Sequence, residues 1–257
     1  MSMPLDHVVI AVHDLPQAMA DYCQLGFQVL PGGKHPGRES SNALIVFADG
    51  AYLELIAWAA PNDERWYKTL QTHGEGLMDF ALLPHDTMAV LTQALARGLD
   101  SLHGPVDGGR VRPDGRQLRW RSARSSTGDM PFLCGDITPR PWRVPDAHEL
   151  CKHANGALGI AGLTVRVADL PRSVARYRAL VGDSAVTQTP DRPNEAQVNL
   201  LGAVIQLVQP PEESDRQLTT PQHLSLEGPR ELRLRNATRS PHGLDPRLTH
   251  SARIRWH

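Results

Sequence analysis

The feature of this sequence that most constrains its fold is an internal repeat. The segment Val-His-Asp-Leu-Pro at 12–16 recurs as Val-Ala-Asp-Leu-Pro at 167–171. The likeness continues downstream, where Tyr22 aligns with Tyr177 at the same spacing. Self-similarity of this kind indicates a chain built from copies of one supersecondary unit, each of which must pack against another copy to bury its apolar face.

A weaker copy lies between these two. An apolar run at 77–82 leads to Asp86, then to an apolar-periodic segment and Gly98. The spacing between Asp86 and Gly98 equals the spacing between Asp14 and Gly26 in the first copy. An aspartate before a helix is a favoured N-cap, and a glycine after it suits the positive φ that ends many helices. Each copy therefore predicts a strand, a helix, a glycine and further strands.

Strand-like runs complete the unit. They follow the first helix at 27–30, 43–47 and 52–57, and the third helix at 196–200 and 204–208. The unit is thus βαβββ, a small open sheet with a helix on one face, and its other face needs a partner. We predict an α+β fold in which repeated βαβββ units pair into curved, half-open β-barrels with helices outside. The cup between paired sheets is a natural pocket.

Proline and glycine suggest where the chain divides. The proline-rich stretch at 139–145 indicates a soft domain boundary. We expect a first pair of units with the candidate site over 1–138, a linker over 139–157, and a third unit with a partial fourth over 158–257. The partial fourth unit would run over 223–237, and its phase is left open.

Composition narrows the classes of function. The 257 residues carry a formal net charge of −1, which favours neither nucleic acid nor a membrane surface. The apolar run at the N-terminus ends near Val12, too early for a signal peptide or a membrane span. Three cysteines form no CxxC pair, which suits a reducing compartment. We expect a cytoplasmic protein whose partner is a small molecule, not nucleic acid or a membrane.

Arginines form two clusters, one from Arg110 to Arg124 and one over 230–255. A nucleic-acid surface is one interpretation. However, Arg119 and Arg121 alternate with apolar residues, and the interleaved aromatic side chains of a base-stacking platform are missing. We therefore interpret the first cluster as a solvated strand face.

Two polar side chains stand inside apolar, strand-like runs: His7 within 5–12 and Glu54 within 51–57. A charge is seldom buried in a strand unless it is paired or bound to a metal. Alternation along the second strand puts Glu54 on the same face as Tyr52 and Ile56. The structural alternatives are a core histidine bonded to a backbone carbonyl, and a glutamate paired with an arginine such as Arg38.

A loop rich in glycine and proline, 32–37, lets the backbone approach a ligand closely. It could bring His35 over the cup as a general acid or base, or as the second histidine of a two-histidine, one-carboxylate metal site. Arg38, just beyond, would hold an anionic group of the substrate. The alternative is an ordinary surface loop.

Three further side chains are candidates for substrate binding. Ser41 and Asn42 could donate hydrogen bonds to substrate oxygens. Trp120 would stack on an aromatic ligand, although an aromatic residue on a strand often belongs to the core.

Taken together, these features resemble the vicinal oxygen chelate superfamily, and within it the glyoxalase-like domain family. The likeness spans most of the chain, and its residues lie at 5–9, 25–27, 32–38, 42–44, 52–55, 118–121, 130–132 and 153–156. The resemblance implies a divalent metal held by histidine and glutamate on the inner sheet faces. Such a metal takes two substrate oxygens and stabilises an oxyanion.

The resemblance also shows where this chain departs from the pattern. A full site draws ligands from two units, and His7 corresponds to Asp79 in the second unit, whereas the third unit lacks both ligands. The second-unit counterpart of Glu54 lies near 132–136 in an undefined register. The implied ligands are His7, Glu54 and Asp79, for Mn, Fe, Zn, Ni or Mg, with a metal-free cup as the alternative. Asp79 could equally be a structural aspartate bonded to backbone.

Two classes of function follow from the resemblance. The first is a metal-dependent isomerase, lyase or dioxygenase acting on a small metabolite with adjacent oxygens, with His35 and Glu54 as catalytic residues. The second is a metal-free protein that sequesters a small molecule in the same cup. A structural or partner-binding module is a weaker third interpretation. Folds of this type often pair through sheet edges, so a homodimer is left open.

Overall fold

Alternating strands and helices build the first half of the protein. The computed structural model describes residues 3–188, 190–211, 227–237 and 243–257. Up to residue 138 the elements are β1 (Leu5–Ala11), α1 (Leu15–Gln24), β2 (Leu30–Lys34), β3 (Ser40–Val46), β4 (Tyr52–Trp58), α2 (Arg65–His73), β5 (Gly76–Leu82), α3 (Thr87–Ala96), β6 (Leu102–Val111), β7 (Gln117–Ser125) and β8 (Phe132–Asp136).

The described part of the second half contains fewer helices. Its elements are α4 (Arg140–Arg143), β9 (Ala157–Arg166), α5 (Leu170–Val181), β10 (Val186–Thr187), β11 (Glu195–Asn199), β12 (Val204–Val208), β13 (Gly228–Asn236) and β14 (Ile254–Trp256). None of the helices in the described ranges is both long and apolar enough to cross a membrane.

The strands form a barrel and a second sheet. The barrel order is β1-β4-β3-β2-β6-β7-β8-β5, and the second sheet runs β10-β11-β12-β9-β13-β14. The barrel ring closes between β2 and β6 through one residue pair, Lys34 with Val111. The predicted fold class, α+β with paired βαβββ units, is therefore confirmed, and the barrel that was expected to be half-open is closed through a single residue pair at this seam.

The two units of the barrel are related by an approximate two-fold axis between β1 and β5. These strands pair antiparallel, with His7 opposite Ala81 and Val9 opposite Asp79. Rotation about this axis places β1 on β5 and brings His7 onto the position of Asp79. The register thus places Asp79 at the position in the second unit that His7 holds in the first.

The same symmetry identifies the counterpart of Glu54, which the sequence left undefined. Val9 pairs with Glu54 across β1 and β4, and Ala81 pairs with Phe132 across β5 and β8. Because Val9 and Ala81 are equivalent positions, Phe132 stands where the second unit would need a carboxylate. An aromatic ring cannot replace that ligand.

Helix caps explain why the repeat is visible in the sequence. The side chains of Asp14, Asp86 and Asp169 each accept a hydrogen bond from a backbone N–H in the first turn of α1, α3 and α5. Gly26 and Gly98 follow α1 and α3 with φ of 84° and 89°. These are the predicted caps, and each satisfies backbone donors that a helix end would otherwise leave free.

Strand β4 divides the interior into two layers. Leu53 and Leu55 are fully buried in the apolar core between sheet and helices. Tyr52, Glu54 and Ile56 face the other way, into the cup of the barrel. The predicted alternation is confirmed, and it puts one carboxylate among side chains that can bind a ligand.

Some local expectations were wrong. The strand expected at 27–30 begins only at Leu30, and the glycines expected in a loop, Gly32 and Gly33, lie within β2. Gly108 and Gly109 lie inside β6. A Cβ on Gly108 would come within 2.5 Å of the Trp120 indole, so glycine is needed there for close packing and not for a turn.

The segment 139–157, expected as a linker, contains α4 and packs on the barrel. Arg143 of α4 is buried and bonded to Tyr52 and Asp6. In the second sheet β13 pairs antiparallel with β9, and the start of the expected fourth unit at 223 lies outside the described residues.

We expect Leu53→Ala to lower the free energy of unfolding by about 2–5 kcal/mol, because it removes a fully buried side chain and leaves a cavity. Denaturant unfolding followed by circular dichroism measures this. The matched control is Leu95→Ala on α3, where the side chain is 49% exposed and the change should stay within about 0.5 kcal/mol. Equal losses in the two variants would contradict the layer assignment.

Candidate functional site

His7 lies in the barrel interior, fixed on all sides. Its Nδ1 is 2.7 Å from Oδ2 of Asp6, and its Nε2 is 3.4 Å from Oε2 of Glu54. Its ring stacks on Tyr52 with centroids 4.6 Å apart and meets the edge of Phe132 at 5.2 Å. Because only 3% of His7 is exposed, the imidazole has one orientation, with Nε2 directed at the carboxylate. The two side chains singled out by the sequence therefore meet in one cup.

A network of charges behind His7 holds Asp6. Arg143 donates to both Asp6 oxygens at 2.8 and 3.2 Å, and Arg140 lies 2.7 Å from Asp6. Arg143 also bonds Tyr52 and Asp136. Burial opposes ionisation of Asp6, but Arg143, His7 and Arg140 together hold its pKa well below the ordinary value. The Asp6 carboxylate is therefore a fixed anion beside Nδ1 of His7.

Glu54 is the second anion of the cup. Asn42 Nδ2 donates to its Oε1 at 2.6 Å, and His35 Nε2 lies 3.8 Å from the same oxygen. Burial raises the pKa of Glu54, but the hydrogen bond and charge of His7, the charge of His35 and the bond from Asn42 outweigh burial and lower it to about 2. Glu54 is therefore ionised over the whole physiological range.

His35 sits at the opposite side of Glu54, at the end of β2. Its Nδ1 is 3.0 Å from Ser40 Oγ, and its ring meets Trp120 edge-on at 6.1 Å. Burial lowers the pKa of His35; the charge of Glu54 opposes this shift and that of Arg110 adds to it. Burial therefore favours the neutral form of His35, which lies beside a carboxylate.

The two histidines are thus tuned in opposite directions by their surroundings. Burial disfavours protonation of His7, but its hydrogen bonds to Asp6 and Glu54 and the charges of both carboxylates raise its pKa. At His35, burial together with the charges of Arg110 and Arg38 outweighs the carboxylates of Glu54 and Glu64, and the pKa falls. Two imidazoles whose pKa values are shifted in opposite directions beside one carboxylate are suited to act as an acid and a base.

The interpretation of the first arginine cluster as a solvated face was wrong for part of it. Arg119 and Arg121 are exposed and bond Asp107. Arg110 is 3% exposed and lines the cup, and Arg124 also turns inward. Alternation along β7 explains the difference, because Arg124 is on the opposite face from Arg119 and Arg121.

A larger cavity of about 260 Å³ adjoins the cup, whose own free volume is about 40 Å³. The side chains lining both are Arg38, Glu64, Trp66, Arg124 and Phe132. The two spaces therefore form one cleft with a narrow polar end and a wider end.

Asp79 belongs to the wider end. It lines the larger cavity, accepts a hydrogen bond from Trp66 Nε1 at 2.9 Å, and accepts another from the backbone N–H of Phe80. Burial raises its pKa, against the charges of Arg124 and Arg65. The structure does not bring Asp79 together with His7 and Glu54, and its metal role stays a prediction.

The predicted substrate-binding residues differ in which of the two spaces they line. Asn42 and Trp120 line the cup, and Arg38 lines both spaces. Arg38 pairs with Glu64 at 3.5 Å, not with Glu54. Ser41 lines neither space, because alternate residues of β3 face opposite sides.

The donor set was compared with the metal site that the resemblance implies. Across the described ranges, no group of three or more His, Cys, Asp or Glu side chains is arranged to hold a metal ion. Phe132 occupies the fourth ligand position, and Asp79 is turned toward Trp66. Both oxygens of Glu54 already face partners. The residues as placed do not fit a shared divalent metal.

Several residues of the site were missed by the sequence reasoning. Asp6 was visible as a charged neighbour of His7 inside a buried strand. Trp66 and Leu70, four apart, mark the buried side of α2, a helix that was not predicted. Arg143 gave no local signal, because its proline-rich surroundings read as a linker.

Comparisons with known proteins agree on the fold. The model of the family described as Glyoxalase-like domain matches residues 5–181. No protein with a curated description matches the chain. A hypothetical protein from Staphylococcus aureus superposes with a TM-score of 0.74 at 12% identity, over 99% of this chain and 100% of that one.

Two other solved structures are similar at 15% identity over 91% of this chain. One is a mutant of 4-hydroxymandelate synthase from Streptomyces coelicolor, with a TM-score of 0.58 over 71% of its length. The other is a xylose isomerase-like TIM barrel/4-hydroxyphenylpyruvate dioxygenase fusion protein, with 0.56 over 37%. At these identities the likeness shows the fold alone.

We expect Glu54→Gln to remove an acid-sensitive part of the stability. The folded-state pKa of Glu54 is depressed, so its contribution is present above about pH 4.5 and is lost as the pH falls toward about 2. The free energy of unfolding at pH 7 should fall by about 3 kcal/mol, and the difference from the parent should vanish near pH 2. Urea unfolding across this pH range measures it.

Glu149→Gln, at an exposed position, is the control and should follow the parent curve at every pH. A constant difference between Glu54→Gln and the parent from pH 7 to pH 2 would show that the carboxylate is not held ionised by its neighbours.

Proposed function

The chain belongs to the glyoxalase-like domain family, and from that premise we propose that it is an enzyme of the isomerase or lyase type. Its substrate would be a small oxygenated metabolite with adjacent oxygens. One observation carries the proposal: His7, His35 and Glu54 meet in one buried cup, and their surroundings move the two histidine pKa values apart. Perturbed titratable groups in a cleft are typical of catalytic sites.

His35 is the proposed base. Its Nδ1 is engaged by Ser40, and its Nε2 is on the side of the cup near Glu54. A neutral imidazole, which burial favours here, suits removal of a proton from a carbon next to a carbonyl. Glu54, with a pKa of about 2, is too weak a base for this step, so its proposed role is to hold His7 and His35 in place.

Positive charge for the developing oxyanion would come from His7 and Arg110. Hydrogen bonds and charges of two carboxylates raise the pKa of His7 and favour its protonated form, and Arg110, buried at the cup, bonds Asn42 at 3.1 Å. Fixed cations in a space with little water stabilise an enolate strongly. Return of the proton to a neighbouring carbon completes an isomerisation, and loss of a leaving group completes an elimination. Both reactions balance by proton transfer alone.

We expect His35→Ala to lower the rate of proton exchange by roughly 10²- to 10⁴-fold, the usual contribution of a positioned general base. The measurement is deuterium uptake from heavy water into a panel of α-hydroxyketones and α-keto acids, followed by proton NMR. His103→Ala, on the exposed side of β6, is the control and should exchange at the parent rate.

Two outcomes would contradict the proposal. If His35→Ala exchanges as fast as the parent, the base lies elsewhere. If the parent exchanges none of the compounds but is stabilised thermally by some of them, the protein is a binder of small molecules, the alternative expected from the sequence.

We expect Mn²⁺, Fe²⁺, Zn²⁺, Ni²⁺ and Mg²⁺ to leave the melting temperature unchanged, because His7, Glu54 and Asp79 do not face a common point. A metal that binds only the folded state would raise the melting temperature. The rise would increase with the logarithm of the ratio of metal concentration to Kd. Thermal shift with each ion, in the parent and in His7→Ala, measures this. A rise that disappears in His7→Ala would restore the metal-dependent interpretation.

A further inference from the structure

The wider end of the cleft contains a cation that the proposed proton transfer does not use. The guanidinium carbon of Arg124 lies 4.3 Å from the ring centre of Trp66 and 4.5 Å from that of Phe132. Within the described ranges no carboxylate lies within ion-pair distance of this guanidinium and no acceptor is within hydrogen-bond distance. The N–H groups of Arg124 are therefore available to a ligand in the cavity that this side chain lines.

The charges around this cavity do not cancel. Its lining contains three guanidinium groups, on Arg38, Arg65 and Arg124, and two carboxylates, on Glu64 and Asp79. Arg38 is matched by Glu64 at 3.5 Å. One positive charge is left uncompensated in a partly buried space, where a cation is costly unless an anion accompanies it.

The rest of the lining is suited to a planar or apolar group. Trp66, Met130 and Phe132 supply apolar surface, and Ser125 and Thr127 add hydroxyl groups. The rings of Trp66 and Phe132 fix the plane of the Arg124 guanidinium, and a fixed guanidinium fork matches the two oxygens of a carboxylate.

We propose that this cavity binds the carboxylate end of an aromatic or similarly apolar organic acid, with Arg124 as its principal ligand. A single uncompensated charge suits a carboxylate monoanion better than a phosphate dianion. The inference rests on the proposed function in one respect: it assigns the reacting end of the same molecule to the cup.

Continuity of the cleft supports that assignment. Arg38, Trp66, Arg124 and Phe132 line both spaces, so the cation stands at the boundary between the cavity and the cup. A molecule anchored on Arg124 therefore extends toward the side where His35 stands. The substrate class that follows is an oxygenated acid whose carboxylate is anchored and whose adjacent oxygens lie at the histidines.

Isothermal titration calorimetry with benzoate and with inorganic phosphate tests the cavity without any turnover. We expect the parent to bind benzoate more tightly than phosphate. Arg124→Gln should weaken benzoate binding by roughly tenfold or more, because a charge-assisted hydrogen bond is lost. Arg121→Gln, the same change two residues away on the exposed face of β7, should bind like the parent.

Further variants keep the test decisive. Arg124→Lys retains the charge but not the fork and should bind with intermediate affinity. If Arg124→Gln does not fold, as judged by circular dichroism, Arg65→Gln on the rim replaces it, with a smaller loss of about threefold expected. Benzoate binding that is absent in the parent, equal in Arg124→Gln, or weaker than phosphate binding would overturn the proposal.

Failure of this proposal is distinguishable from failure of the proposed function. His35→Ala should bind benzoate like the parent even where it has lost proton exchange, because His35 does not line the larger cavity. Loss of benzoate binding in Arg124→Gln with no exchange activity in any protein would leave the carboxylate site standing and overturn only the catalytic assignment.

Discussion

The contact between His7 Nε2 and Glu54 Oε2 is the constraint on which the rest of the barrel interior depends. It joins the first and last strands of one βαβββ unit inside a space that is almost closed to water. Taking two charges out of water costs more than their attraction returns, unless other groups satisfy the remaining donors and acceptors. Asp6, Asn42 and Arg143 do this, which is why a short helix from a proline-rich segment is packed against the barrel.

The approximate two-fold axis explains how one architecture supports two different environments. Equivalent positions hold His7 and Glu54 in the first unit and Asp79 and Phe132 in the second. The first pair forms a polar cup in which the imidazole contacts the carboxylate. The second pair borders a wider space in which Arg124 lies between aromatic rings. Divergence of the two units thus separates the groups that can move a proton from the groups that can hold an anion.

Much of the local structure could be read from the sequence, because it depends on neighbours along the chain. The aspartate caps, the glycines after α1 and α3, and the alternation that turns Glu54 into the cup follow from the geometry of short segments. The same alternation on β7 would have assigned Arg124 to the inside, had the cluster been considered position by position and not as a group. For helix α2, which contains Trp66, the sequence shows only a short apolar periodicity.

The sequence by itself determined the repeat and the βαβββ unit, which follow from periodicity, and it carries the resemblance from which the family and the meeting of His7 with Glu54 were expected. Only the tertiary structure decided that Phe132 replaces the fourth ligand, that Asp79 turns to Trp66, and that Arg143 supports Asp6. These depend on strand register and on contacts between residues far apart in the chain. Local propensities do not encode such contacts, because they are fixed only when the two units and the segment after them pack together.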